Sequence, residues 1–181
     1  MNKLTQRQIF VYIALLMILF CIPIYIIITN TQTLKDGEEF LFKVAAYDPY
    51  DMFRGNYLDI SFEENQVYSY NPIKPNSEMN SSYYVKIGKK SDGFAYFQSI
   101  SDTKPTETSS YYKTKAYYSR VNNTYTIETP TRYYMNEKKS LRAETIYQEN
   151  IENAYVKIRV KDGKMVILGI YVNGILIDTI E

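Results

Sequence analysis

Three kinds of spacing separate the chain into regions. Residues 9–28 are apolar or uncharged throughout, and about 20 such residues is what a helix needs to cross a bilayer. From residue 39 onward the apolar positions fall at every second residue, the period of a strand with one buried face. Phe40, Phe42, Val44 and Ala46 alternate with Leu41, Lys43 and Ala45. The same period returns in Leu58, Ile60 and Phe62, with Tyr57, Asp59 and Ser61 on the other face. Residues 67–82 read as a loop with Pro72 and Pro75. Strands follow at residues 83–87 and 94–100, joined by a turn at Asp92-Gly93, and then at residues 111–120 and 124–128. A third spacing covers residues 136–150. There Ala143, Ile146, Tyr147 and Asn150 fit one helix face, with Asn136 or Ser140 as cap.

The tail alternates again. Ala154, Val156, Ile158 and Val160 face in, Asp162-Gly163 turns the chain, and residues 165–172 form an apolar run expected to be buried on both faces. Asn173-Gly174 turns once more before Ile175, Leu176 and Ile177, which makes a three-stranded meander. The expected fold is mostly β, a sandwich or partly open barrel of roughly eight to ten short strands with one helix, behind a single transmembrane helix. The expected divisions are an N-terminal segment 1–8, a transmembrane helix 9–28, a polar tether 29–37 and a β-rich domain 38–181.

Between the first two strands lies the most unusual turn. Asp48, Pro49, Asp51, Arg54, Gly55 and Asn56 occupy nine positions before Tyr57. Pro49 holds Asp48 extended, and Gly55-Asn56 tolerates positive φ. The stretch Gly55-Asn56-Tyr57-Leu58-Asp59-Ile60-Ser61-Phe62 resembles the motif of the GDYXXLXY protein family. That resemblance extends upstream to Asp48 and downstream to Arg132-Tyr133-Tyr134 and the final meander. Asn56 stands where the family has Asp, Ile60 where it has Leu, and Phe62 where it has its last Tyr. Ile60 and Phe62 keep a packing role, whereas Asn56 removes a carboxylate. The resemblance implies a membrane-anchored bacterial protein of unestablished activity, with a polytopic membrane protein as a candidate partner.

Charge sets the expected orientation. Lys3 and Arg7 precede the apolar run, and no acid occurs before Asp36. The positive-inside rule then places the N-terminus in the cytoplasm and the domain outside. The run exceeds a usual signal-peptide core, and no Ala-x-Ala site follows it. Cys21 has bulky Phe20 before it and apolar residues after it, so it reads as an inert residue of the anchor rather than a lipidation site.

Composition narrows the chemistry. The 181 residues carry 21 bases and 20 acids, a formal net charge of +1, which gives no argument for nucleic acid. With no His, imidazole catalysis and most metal sites drop out, and a lone Cys closes no internal disulfide. No cofactor or metal is expected. Asp48 and Asp51 form a candidate acid–base pair, but capping of a tight turn, with Arg54 clamping a carboxylate, explains the same residues more simply. A Ser-Lys dyad is a second hydrolase alternative. The layout resembles type I signal peptidases, without their Ser-Met-x-Pro segment. Asn80 and Asn122 begin glycosylation-like triplets that read as chance in a bacterial-looking chain. Tyr-Tyr pairs recur at 83–84, 111–112, 117–118 and 133–134. Tyr84, Tyr112 and Tyr118, with Lys113 and Lys115, are the candidate outward residues for a protein or glycan. The favoured reading is a binding or accessory domain that engages another membrane or envelope protein. The alternatives are a hydrolase and a cell-wall glycan binder.

Overall fold

The structure, a computed structural model, describes residues 5–45, 57–69, 73 and 82–179. The turn carrying Asp48, Pro49, Asp51, Arg54, Gly55 and Asn56 lies outside the described residues.

Helix α1 runs over Gln6–Asp36 and contains Pro23. It is long and apolar enough to cross a membrane, and its apolar stretch is not buried by the described residues of the rest of the chain. The stretch expected to be a tether is helical instead. Thr29 and Thr33 return their hydroxyls to the carbonyls of Tyr25 and Thr29, so these polar side chains are satisfied within the helix. Thr33 is 2% exposed, sealed against the domain. Arg159 donates to the carbonyl of Leu34, and Lys161 pairs with Asp36 at 3.1 Å.

The domain is strand-rich and built from open sheets rather than a closed barrel. Strands β1 (Glu38–Ala45), β3 (Ser61–Phe62), β11 (Ala154–Lys161), β12 (Lys164–Val172) and β13 (Ile175–Leu176) form the largest sheet, in the order β13-β12-β11-β1-β3. The pairings within it are antiparallel. Strand β2 (Tyr57–Asp59) pairs with β10 (Arg132–Tyr134). Two three-stranded sheets complete the domain: β4 (Gln66–Tyr68), β9 (Thr124–Ile127) and β8 (Ala116–Ser119); and β6 (Ala95–Ser101), β5 (Tyr83–Lys89) and β7 (Tyr111–Thr114). Helix α2 spans Glu137–Glu149. It buries Ala143 and Tyr147, as its spacing predicts.

Alternation holds where one strand stays in one sheet. Phe40, Phe42 and Val44 are buried, as are Ala154, Val156, Ile158 and Val160. Both late turns have the geometry that Asp-Gly and Asn-Gly favour, with positive φ at Asp162, Gly163, Asn173 and Gly174. Four expectations fail. Residues 111–120 are two strands, because the chain leaves the partner of β7 at Lys115 and joins β9 as β8. The stretch from Val67 begins inside strand β4, with Val67 buried. A short strand, β10, forms at Arg132–Tyr134, where alternation over three residues is too brief to read. In β12, only Gly169, Ile170 and Val172 are buried, and residues 164–168 are half-covered. Among the described residues, β13 pairs only with Tyr171 and Val172, so the first half of β12 has no strand on its outer edge.

Candidate functional site

The motif strand belongs to two sheets at once. Tyr57, Leu58 and Asp59 pair with Tyr134, Tyr133 and Arg132. Ile60 then donates its amide to the Thr131 carbonyl at 2.8 Å. Ser61 and Phe62 cross to β1, opposite Ala45 and Val44. Leu58, Ile60 and Phe62 are at most 1% exposed, whereas Tyr57, Asp59 and Ser61 are half-exposed. Phe62 stacks on Phe42 at 5.0 Å and faces Phe97 at 6.4 Å. The motif's apolar residues are therefore the seam of the core, and the Phe62 ring fits a wholly apolar place.

The outer side of β2 and β10 is different in kind. Tyr57, Asp59, Arg132 and Tyr134 stand together there, since they alternate with inward Leu58 and Tyr133. The Arg132 guanidinium lies 4.9 Å over the Tyr57 ring, and the Tyr57 and Tyr134 rings are 5.7 Å apart. Tyr134 is 67% exposed. Tyr134, with the rings and Asp59 nearby, pushes the Arg132 guanidinium further above its already high range. Behind this face, the Tyr133 hydroxyl donates to the Asp178 carboxylate. Lys139 donates to the Asp178 backbone carbonyl at 2.9 Å. Burial first, and Asp178 second, push the Tyr133 phenol well above its ordinary range. At the other end of the motif, an open groove of about 390 Å³ is lined by Lys43, Ala45, Glu63, Ile151 and Glu152. It opens where β1 ends, just before residue 46.

The Tyr and Lys residues singled out from sequence do not converge. Tyr84 lies on the outer face of its sheet, edge-on to Tyr111 at 5.6 Å, with the Lys113 ammonium 5.7 Å over its ring. Tyr112 is opposite Val85, on the core face of the same sheet, and burial raises its phenol pKa. Its neighbour Tyr111 is on the outer face yet only 3% exposed. The Gly163 turn closes over Tyr111, since a Cβ at Gly163 would come within 3.2 Å of that ring. In the next pair the expectation is inverted. Tyr118 packs inward on Tyr125, ring centroids 4.9 Å apart, and bonds Asn123, while Tyr117 is 64% exposed. The sheet switch at Lys115 resets which parity faces the core, so inside and outside exchange. Lys115 itself is exposed at the junction. Arg132 and Asp178 were not singled out from sequence as site residues. Only the Arg-Tyr-Tyr run carried any signal for the first.

These features define a small β-rich domain carried on one long apolar helix, with its motif strand at a junction of sheets. A family model described as GDYXXLXY protein matches residues 19–170, and the chain belongs to that family. No curated protein and no solved structure matches the chain.

Proposed function

We propose that this chain is a single-pass, membrane-anchored accessory domain. Its N-terminus is cytoplasmic, its domain extracytoplasmic, and it engages another membrane or envelope protein through the outer face of β2 and β10. The observation that carries this reading is the Tyr57–Arg132–Tyr134 cluster. Tyr and Arg are the residue types that anchor protein interfaces, because they combine large rigid area with polar ends. Here half-exposed Tyr57 and exposed Arg132 and Tyr134 stand on a strand pair whose inner side is locked into the core, so little conformational entropy is lost on docking. Helix α1, long and apolar enough to cross a membrane, supports the anchor.

The test is photo-crosslinking in intact cells from position 134 and from position 51, with Val121, 90% exposed in the turn between β8 and β9, as control. Capture of one membrane protein from both test positions, and not from Val121, supports the reading. Equal capture from all three positions, or none from position 134, overturns it.

A further inference from the structure

From its geometry we infer that the Asp162-Gly163 end of the β11–β12 hairpin rests on the bilayer and binds anionic phospholipid headgroups through Lys104, Lys113 and Lys164. This rests on the anchor reading above. The Lys164 ammonium donates to the Thr29 hydroxyl and lies 5.7 Å over the ring of Tyr25. Tyr25 belongs to the last turn of the apolar run, about 5 Å along the helix from Ile28. Thr29 directly follows that run, so the Lys164 ammonium bonded to it is held at the boundary between the hydrocarbon and the headgroup layer. The turn brings two further lysines to that level. The Lys113 amide bonds the Gly163 carbonyl at 2.9 Å, and Lys104 sits over Tyr111 at 5.7 Å, beside the same glycine.

Asp162 is the one acid of the turn, and among the described residues none of the three lysines is in an ion pair. Tyrosine and lysine are both side chains that anchor a chain at the membrane interface. Charge complementarity selects anionic over zwitterionic lipid. The helix meets the domain without a tether, so this end cannot lift away independently of α1.

The experiment places the full chain in nanodiscs of phosphatidylcholine alone or enriched in phosphatidylglycerol, and follows amine acylation by mass spectrometry. Labelling of Lys104 and Lys113 should slow by about fivefold in the anionic discs, while exposed Lys43 on β1 stays constant. High salt should abolish the difference. Lys164→Gln should reduce the protection of the other two lysines, and Lys164→Arg should keep it. Failure of the chain to enter discs overturns the anchor and this contact together. Entry with equal labelling in both discs overturns the lipid contact alone, as does equal protection by free inorganic phosphate in phosphatidylcholine discs.

Discussion

Arg132 and Tyr57 face each other across the β2–β10 pair, guanidinium over ring at 4.9 Å. Both side chains stand on the outer face of the motif strand, so neither is needed to fill the core. Arg132→Ala should weaken partner capture by about tenfold or more, the scale of an interface anchor. The melting midpoint should stay near that of the parent. A lowered midpoint with unchanged capture would make Arg132 a structural residue instead.

Phe62 carries the opposite expectation. It is 1% exposed between Phe42 and Phe97. Phe62→Ala should cost about 3–5 kcal/mol in denaturant unfolding. An unchanged midpoint would contradict the register between β3 and β1.

Tyr147 is 1% exposed, and among the described residues its hydroxyl has no hydrogen-bond partner. Tyr147→Phe should therefore stabilise the domain by about 1 kcal/mol near neutral pH. Burial raises the Tyr147 phenol pKa, and burial with Asp178 raises that of Tyr133. A raised folded-state pKa means the native state holds the proton more tightly. Its stabilising share is complete below the unfolded pKa near 10 and is lost as pH rises toward the folded value. Stability should fall above about pH 10, with Tyr147 contributing at most about 1.4 kcal/mol per pH unit. Alkaline unfolding curves should flatten for Tyr147→Phe and for Tyr133→Phe, and an unaltered alkaline limb would count against both.

Gly163 and Gly93 both have positive φ, at 85° and 86°, but their surroundings differ. A Cβ on Gly163 would lie 2.9 Å from the Lys113 Cβ, whereas nothing lies within 4 Å at Gly93. Gly93→Ala should cost about 1–2 kcal/mol from backbone conformation alone. Gly163→Ala should cost more, because β7 must also move. Equal losses would mean that the hairpin turn does not pack on β7.

Much of the fold was legible because alternation and turn chemistry are local. Phe40, Phe42 and Val44, the motif strand and the Asp-Gly and Asn-Gly turns could all be read from spacing. What escaped depended on contacts between distant segments. Nothing local marks Lys115 as the point where one strand becomes two, so Tyr118 was read as outward. Polar Thr29 and Thr33 suggested a tether because their hydroxyl bonds to the helix backbone are invisible in composition. The site was half legible. Tyr57, Ile60 and Phe62 announced themselves through the motif, whereas Arg132 became relevant only when β10 was paired with β2.

The continuity of α1 into the domain has a mechanical consequence. Helix α1 ends at Asp36, β1 starts at Glu38, and the strand reaches Ala45 about 23 Å farther on. With Arg159 and Lys161 bracing that joint, helix and strand act as a single lever, whose fulcrum is in the lipid under the anchoring proposed above. A twist or tilt imposed on the buried helix by a neighbouring span would swing the motif end through a wide arc. Displacement of the domain would, in turn, apply torque inside the bilayer. Inserting one residue at the joint would rotate a helix by about 100° and point the motif in a new compass direction without altering its own strands.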